Sequence, residues 1–299
     1  MSVYLGGNKI TPLYLGGVEI AEAFFGSVRI YPDYNPLNLP SHTMRLQFEN
    51  PSFDPANFSW RKNPTWTQVS SSPNVWDVYL ASNVWQGIFE DSSSNNLLTA
   101  ANVTTVQVLG ANTTGVTAFT GLFMNSALSS LVLFDTVSAT DVTYMLYRCS
   151  RITDLPHYDL GNVMGAAGMC WQCTGLTAIP AFDTHSLLYS YDMFGGCNQV
   201  TTLPMLDLSH VRDMRSMFAG CSSVTNIPLY DLSSATDTTY MFGGCYNVES
   251  GALNLYNQVS TQQNPPSNHD RMFQYCGRDT VTGAAELALI PSSWGGLGA

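Results

Sequence analysis

The feature that most constrains the fold of this chain is a cysteine that recurs every 24 residues. A methionine stands four places before each of these cysteines, and a proline and an aspartate stand seven and ten places after the first four. The columns are Cys149, Cys173, Cys197, Cys221 and Cys245; Met145, Met169, Met193, Met217 and Met241; Pro156, Pro180, Pro204 and Pro228; and Asp159, Asp183, Asp207 and Asp231. One such unit buries too little apolar surface to be stable alone, so successive units are predicted to stack around a shared core.

The repeat extends beyond these five units in both directions. Met272 reopens the motif after 31 residues instead of 24, and the extra residues fall in a stretch rich in Gln, Asn and Pro, 258–268, which is predicted to be an extruded loop. Upstream, Leu122 fits the same frame, with Asn125 in the place of the cysteine. The repeats, with a C-terminal cap, are therefore predicted to occupy residues 100–299.

Each repeat is predicted to contain one strand and one helix. Residues 203–208 have the length and apolar content of a short strand, and residues 210–218 carry apolar side chains at the 3–4 spacing of a helix. Asp207 is placed to cap the start of that helix, and Gly220 to end it. The fold class predicted is an α/β repeat solenoid, leucine-rich-repeat-like, with 24-residue coils that each hold one short strand and one short helix.

Three further segments precede the repeats. Residues 1–31 repeat an aromatic–Leu–Gly–Gly pattern every ten residues, which predicts a small β segment of three short strands joined by glycine turns. Residues 32–41 read as a Pro-rich linker. Residues 42–99 contain an alternating, strand-like run at 44–48 and four of the six tryptophans, which predicts a β-rich module that caps the first coil. The alternative for this module is a carbohydrate platform formed by the tryptophan rings.

Composition limits the class of partner. The formal net charge is −11, only 11% of residues are charged and two are lysines, so the chain has no basic cluster to bind nucleic acid or anionic lipid. No apolar run approaches the roughly 20 residues of a transmembrane helix, and no membrane insertion is predicted. The first residues lack the basic and apolar regions of a secretory signal, which favours a protein that is not exported by that route.

The sequence predicts no catalytic, metal or cofactor-binding residue, and no cofactor. Cys170 and Cys173 have zinc-like spacing, but no second Cys or His pair accompanies them. The cysteine column is predicted to consist of buried, reduced thiols, although disulfides between adjacent coils are geometrically conceivable. The aspartate column is explained by helix capping better than by a calcium ladder, which needs several oxygen ligands per ion. Scattered carboxylates leave a glycosidase pair open without specifying one.

Positions that vary while their neighbours repeat are the candidate recognition surface, because core packing does not fix them. They are predicted to face solvent on a rigid sheet. These residues are Asp154, His157, Ala178, Thr202, Met205, Asn226 and Leu229. The 258–268 loop and the Trp-rich module are rival surfaces.

Two parts of the chain resemble known families. Residues 217–221, Met-Phe-Ala-Gly-Cys, followed by Val-Thr-Asn-Ile-Pro-Leu-Tyr-Asp-Leu-Ser at 224–233, resemble the BspA-type leucine-rich repeats of bacterial surface proteins. That resemblance implies a right-handed solenoid used as a binding surface. The N-terminal decads resemble the segments that open tail and fibre proteins of phages of gut bacteria. The candidate virion anchor is formed by Tyr4, Gly6, Gly7, Tyr14, Gly16, Gly17, Phe24 and Gly26.

Together these observations predict a non-enzymatic phage virion structural protein, a head or tail fibre or appendage subunit that recognises the host surface. It is expected to be assembled in the host cytoplasm and located in the virion. Its expected partners are other virion proteins, through the N-terminal segment, and a host surface glycan or protein, with homo-oligomerisation open. The alternatives are a bacterial cell-surface adhesin and, from a different class, a glycan depolymerase.

Overall fold

A computed structural model describes residues 37–86, 88–90, 95–99 and 105–298, together with the backbone of six short strands within residues 3–30. These strands are β1 (Val3–Leu5), β2 (Asn8–Ile10), β3 (Tyr14–Leu15), β4 (Val18–Glu19), β5 (Ala23–Phe25) and β6 (Val28–Ile30). They pair as three separate antiparallel hairpins, β1 with β2, β3 with β4 and β5 with β6. Each decad is thus a hairpin of two strands, where the sequence predicted one strand per decad.

The candidate virion anchor lies only partly within the described residues. Tyr4, Tyr14 and Phe24 each lie in the first strand of a hairpin. The anchor glycines and the first half of the predicted linker, 32–36, lie outside the described residues; the glycines are Gly6, Gly7, Gly16, Gly17 and Gly26.

One five-stranded mixed sheet lies at the N-terminal end of the repeats and includes a strand of the first coil. Its strands are β7 (Thr43–Phe48), β8 (Thr65–Ser71), β9 (Asn74–Tyr79), β10 (Val106–Asn112) and β11 (Leu128–Ser130), arranged in the order β11-β10-β7-β9-β8. Only β10 and β11 are parallel. Met44, Leu46 and Phe48 on β7 are buried, which confirms the strand predicted there. On the opposite face Arg45 pairs with Asp77 of β9, with 2.7 Å between Nε and Oδ1.

Aromatic side chains connect this sheet to the first coil. Trp60 and Trp85 are buried and therefore unavailable to stack on a sugar. The rings of Phe89 and Phe123 stack with their centroids 5.4 Å apart. Residue 123 belongs to the first repeat, so the core of the Trp-rich segment continues into the core of the repeats.

The prediction of an α/β repeat solenoid is wrong. Regular strands of the described chain end at Ser130, and residues 131–250 contain neither a helix nor a strand. The two α-helices described, α1 (Ala252–Ser260) and α2 (Val281–Leu289), both follow the 24-residue repeats. The structure is a mostly β fold with a single five-stranded mixed sheet, followed by a succession of irregular coils.

In place of the predicted helix, each coil contains consecutive β-turns. Met145 N donates to Val142 O at 3.1 Å, which closes a four-residue turn, and Tyr147 N donates to Tyr144 O at 3.2 Å to close the next. Tyr144 and Arg148 have positive φ angles of 55° and 58°. A left-handed residue at every fourth position cannot belong to a continuous right-handed helix. The 3–4 apolar spacing that predicted a helix is produced here by turns.

The other amides of this turn segment bond to the next coil. Tyr144 N donates to Ala167 O at 2.9 Å, and Leu146 N donates to Met169 O at 2.8 Å. The pattern repeats one coil later, where Gly168 N donates to Tyr191 O at 2.8 Å. Amides that a helix would pair along its own axis are therefore paired between coils.

In place of the predicted strand, the proline column forms tight local turns. Tyr158 N donates to Pro156 O at 2.9 Å, and Tyr230 N donates to Pro228 O at 3.1 Å. Proline itself has no N–H to give to a neighbouring coil. A continuous ladder therefore cannot form along this face.

Neighbouring coils are nonetheless in register. Parallel bridges join Ala118 to Asp141 and continue through each coil to Asn268; the intervening positions are Gly165, Tyr189, Asp213 and Asp237. The rings of Phe194, Phe218, Phe242 and Phe273 stack in sequence, with centroid distances of 5.6–5.9 Å. One apolar core runs from Met44 to Trp294. We call the coils from residue 116 to 276 the repeat stack.

The cysteine column lies inside this core. All seven cysteines are buried and free, as predicted. Each of the five cysteines of the 24-residue column donates its thiol hydrogen to a backbone carbonyl of the preceding coil; for Cys221 the acceptor is Phe194 O at 3.3 Å. Burial raises the pKa of the Cys221 thiol to about 12, which keeps it protonated as a donor.

The aspartate column does not cap helices, because no helix follows it. Asp207 Oδ1 accepts from Ser209 N at 3.0 Å, and Asp231 Oδ1 accepts from Ser233 N at 2.9 Å. Each carboxylate thus closes a local turn two residues on. The helix-capping role predicted for these aspartates is therefore wrong, because the element that each of them begins is a turn.

The 31-residue unit contains helix α1 in addition to a loop. Gly251 begins it with φ of 97°, and a Cβ at this position would collide with Ile227 O. The stretch predicted as an extruded loop, 258–268, starts inside α1 and leaves it after Ser260. Beyond the last coil, Phe273 N donates to Trp294 O at 2.9 Å. No helix in the described part of the chain is long and apolar enough to cross a membrane.

Replacing Cys221 by Ser should lower the free energy of unfolding by about 1–3 kcal/mol. The shorter C–O bond would leave the hydroxyl beyond good hydrogen-bond distance of Phe194 O, in an otherwise apolar environment. Cys149→Ser is the matched comparison, because Ser126 Oγ lies 3.5 Å from Cys149 Sγ and offers a second polar partner. Urea denaturation of both variants should show the larger loss for Cys221→Ser, and an equal or reversed order would contradict this account of the column.

Candidate recognition surface

Most of the predicted recognition residues are exposed. Met205 and Leu229 have 63% and 55% of their surface accessible, although they lie between buried neighbours. Thr202 and Asn226 are exposed as well, at the matching position three residues earlier. Two apolar side chains held in water by a regular scaffold are the kind of feature that marks binding surfaces.

The three remaining predicted residues lie in the two preceding coils. Asp154 and Ala178 are exposed. His157 is half-buried, and its ring centroid lies 6.0 Å from that of Phe182 in the next coil. His157 therefore takes part in packing, unlike the other six residues.

This face is less regular than the sequence predicted. The rigid sheet expected here is absent, because the proline column interrupts it. Single backbone bonds join some of the coils close to the exposed positions: Thr177 N to Thr153 O at 3.0 Å, and Thr225 N to Thr201 O at 3.2 Å. Among the described residues of this face, Asn226 forms a parallel β-bridge with Ser250 of the next coil. We call this surface the proline face.

A groove of about 530 Å³ opens on the proline face where the last 24-residue coil meets helix α1. Asn226, Leu229, Ser250, Asn254 and Gln258 contribute to its lining. Ser250 Oγ donates to Asn226 Oδ1 at 2.8 Å, and Gln258 Nε2 donates to Tyr230 O at 3.0 Å. The groove is uncharged and rich in amides and hydroxyls, groups that suit neutral polar ligands.

The groove also joins two surfaces that the sequence presented as rivals. Asn226 and Leu229 belong to the variable positions, whereas Gln258 opens the Gln-, Asn- and Pro-rich stretch. The sequence could not place them together, because helix α1 between them was not predicted. The departures from the repeat at Ala252 and Leu255 were the available signal.

A second exposed cluster lies on the turn segments and was missed by the sequence analysis. The rings of Tyr147 and Trp171 stack with centroids 4.6 Å apart and an angle of 16° between their planes. Arg148 Nε donates to Gln172 Oε1 at 3.1 Å, beside these rings. These four residues, Tyr147, Arg148, Trp171 and Gln172, are called the aromatic platform.

The signal for the aromatic platform was the pair of positions directly before the column cysteine in each repeat. These two positions are aromatic and polar in two consecutive coils and small in the next three, as Gly195–Gly196, Ala219–Gly220 and Gly243–Gly244. The repeat consensus treats both positions as free. Their composition changes along the stack, which distinguishes one end of the turn face from the other.

A third candidate surface is a concavity of about 380 Å³ beside helix α2. Arg271, Tyr275 and Arg278 line it together with Leu287. The guanidinium carbon of Arg278 lies 5.0 Å from the centroid of the Tyr275 ring, and its Nε lies 3.1 Å from Asp279 Oδ1. Both arginines of this cavity already have a carboxylate neighbour, since Arg271 Nε lies 3.5 Å from Asp270 Oδ2.

Several titratable side chains of the repeats have shifted pKa values because they are buried or hydrogen-bonded within the fold. Burial raises the pKa of Cys197 well above the usual range, so this thiol is a poor nucleophile and a poor metal ligand at neutral pH. The pKa of Tyr144 is raised to about 12, first by its hydrogen bond to Tyr191 and to a smaller extent by burial. Among the described residues, no group of three or more His, Cys, Asp and Glu side chains is placed to hold a metal ion.

Comparison with known protein families identifies the repeats. The family model described as "Mycoplasma protein of unknown function, DUF285" matches residues 70–178, 92–203 and 190–278. These matches together span residues 70–278, more than half of the 299-residue chain. The chain belongs to this family. No curated protein and no solved structure matches the chain.

The DUF285 matches contain the repeat stack, the groove residues and the aromatic platform. They begin within strand β8 and leave out the three N-terminal hairpins. Family membership therefore covers the part of the chain that carries the candidate surfaces.

Charged substitutions on the proline face should abolish recognition without unfolding the protein. Met205→Asp and Leu229→Asp place a carboxylate in solvent, so the free energy of unfolding should change by no more than about 0.5 kcal/mol. Attachment to host cells should fall if this face binds the receptor. Ser233→Asp, at an exposed position on a neighbouring turn, is the matched control and should leave attachment unchanged. Attachment that survives the first two changes but is lost when residues 261–267 are shortened would place the site on the loop.

Proposed function

We propose that this chain is a non-enzymatic structural protein of a phage virion, a head or tail appendage subunit that presents its repeat stack to the host surface. The observation that carries the proposal is the contrast between fixed and variable positions. The Met and Cys columns are buried in every coil, while the variable positions of the proline face are exposed and change from coil to coil, as at Thr202, Met205, Asn226 and Leu229. A scaffold that keeps its core constant and varies its surface is suited to recognition.

The chemistry of the proline face supports a glycan as the ligand. Asn226, Ser250, Asn254 and Gln258 offer amide and hydroxyl groups around the exposed side chain of Leu229. Such groups exchange hydrogen bonds with sugar hydroxyls, while an apolar side chain covers the C–H face of a ring. The net charge of −11 disfavours anionic polymers over most of the surface, which restricts where an acidic ligand could bind.

The N-terminal hairpins support attachment to a larger particle. Each has two or three residues per strand, and an isolated hairpin of this size is marginally stable in water. The hairpins share no sheet with β7–β11. They gain stability most readily by docking on another protein, and their decad motif resembles the opening segments of phage tail and fibre proteins.

The alternative proposal is a bacterial cell-surface adhesin. Membership of the DUF285 family favours it, together with the resemblance of residues 217–233 to BspA-type repeats. Both proposals use the repeat stack for binding, and they differ in what holds the N-terminal segment. Purified phage particles and bacterial envelopes from the same culture separate the two proposals: mass spectrometry should find this chain in the particles, and its presence in envelopes alone would support the adhesin.

Deleting residues 1–31 should leave the melting temperature of the remaining protein unchanged within about 2 °C, because the hairpins share no sheet with β7–β11. The same deletion should abolish incorporation into particles. Substituting Arg212, an exposed residue of the repeat stack, by Gln is the control and should leave incorporation intact. A large loss of stability on deletion would show that the hairpins pack on the rest of the chain, and the proposed anchoring role would fail.

A further inference from the structure

In the aromatic platform, Arg148 lies beside the stacked rings of Tyr147 and Trp171. From this position the arginine does not cover the face of Trp171 opposite Tyr147. The guanidinium carbon of Arg148 lies 5.4 Å from the centroid of Tyr147 and 4.8 Å from that of Trp171. The two distances are similar, and the rings are themselves 4.6 Å apart. A guanidinium above the outer face of Trp171 would be much farther from Tyr147 than from Trp171. Arg148 therefore lies beside the stack and does not cover the outer face of Trp171.

The outer face of Trp171 is the face opposite Tyr147. It is directed toward the next coil, where the matching positions are Gly195 and Gly196 and carry no side chains. Tyr147 covers one face of the indole, and Gly195 occupies the position of the next ring in the column. A Cβ at Gly195 would lie 2.9 Å from Trp171 Cδ1, so the five-membered ring rests on this glycine. Beyond it, Ala219 and Gly243 continue the column with small residues. Trp171 is half-buried, and its contact with Gly195 is at Cδ1 and Nε1, so the six-membered ring is the part of the outer face left for a flat ligand.

Two polar groups at the edge of this ring are available to a ligand. Among the described residues, no carboxylate oxygen lies within 4.0 Å of a nitrogen of Arg148, whereas Arg215, Arg271 and Arg278 all have one. Arg148 is exposed and its Nε donates to Gln172 Oε1, while its two terminal amino groups have no hydrogen-bond acceptor among the described residues. Trp171 Nε1 has no acceptor in the described part of the chain.

We infer that the aromatic platform binds a hexuronic acid unit of a polysaccharide. The C–H face of the pyranose would stack on Trp171, and its carboxylate would pair with the terminal amino groups of Arg148. Stacking on an aromatic ring selects a sugar, and a fork of two N–H donors selects a carboxylate. An arginine without an acidic neighbour is a local positive site on a chain of net charge −11, so charge complementarity favours an acidic sugar here over a neutral one.

This inference rests on the proposed recognition function and adds a ligand class and a second surface to it. The aromatic platform and the groove with Asn226 and Leu229 lie on different segments of the coils, the turn segment and the proline face. A polysaccharide that reached both would be bound at a neutral and an acidic unit. Binding at the aromatic platform can be measured without host cells.

The experiment uses the full chain and tetragalacturonic acid, with its carboxyl-reduced, neutral counterpart as the matched ligand. Titration should give a Kd for the acidic tetramer about tenfold below that of the neutral one. Arg148→Gln should remove this difference. Arg212→Gln is the matched control, because Arg212 is also exposed and has no carboxylate within 4.0 Å among the described residues. It should bind as the parent protein does.

Trp171 is tested by its own signal, since its replacement could disturb the stack. The chain has six tryptophans, and Trp171→Phe identifies which indole N–H resonance belongs to Trp171. Adding the acidic tetramer to the unsubstituted protein should shift that resonance and leave the buried Trp85 unchanged. No shift, no measurable binding, or equal Kd values for the two tetramers would each overturn the inference.

The two proposals can fail separately. Host-cell attachment that persists in Arg148→Gln, together with failure to bind the acidic tetramer, would reject the uronic acid site and leave the recognition function standing. Binding of the acidic tetramer by a protein that is absent from both virions and envelopes would support the site and reject the proposed function.

Discussion

Hydrogen bonds that cross from the turn segment of one coil to the turn segment of the next are the interaction on which the rest of this molecule depends. Phe194 N donates to Met217 O, and Phe218 N donates to Met241 O, each at 2.9 Å. These bonds fix the spacing between neighbouring coils. At this spacing the phenylalanine rings stack, and each column cysteine donates its thiol hydrogen to a carbonyl of the preceding coil. The same bonds also give buried backbone donors of the turns a partner, which an apolar core of this kind requires.

The two faces of a coil differ because proline occurs on only one of them. The turn face pairs every second amide with its neighbour, so side chains such as Trp171 and Arg148 are held on a well-bonded backbone. The proline face loses a donor in each coil, and its exposed positions are joined by single bonds. A rigid platform and a more adaptable groove therefore arise from one repeat. Rigid presentation lowers the entropy cost of ligand binding on the first, while the second can adjust to its ligand.

The sequence predicted the period, the buried columns and the free thiols, because periodic burial is visible in residue identity. It mispredicted the elements, because apolar residues at Val211, Met214 and Met217 fit a helix and a run of turns equally well. Left-handed residues such as Tyr144 and Ser216 are not glycines, so they give no signal for a turn. Pro204 did give one, since a central strand excludes proline.

The candidate site was predicted only in part, because the repeat columns indicate which positions are exposed but not which side chains meet across coils. Exposure of Met205 and Leu229 was predicted because these positions vary while their neighbours repeat, and the two side chains are exposed in the structure. The groove depends on helix α1, which breaks the repeat, and its partners could not be found from repeat columns. The aromatic platform depends on which side chains stack across coils 24 residues apart. Only the stacking of Tyr147 on Trp171 shows that the two form one surface.

Native-state hydrogen exchange tests most directly whether the turn segments hold the coils together. The amides of Phe194, Phe218 and Phe242 should exchange slowest, with opening free energies equal to that of global unfolding. The amide of Met205 on the proline face should exchange through local opening at lower free energy. Equal protection on the two faces, or slower exchange at Met205 than at Phe218, would contradict the account.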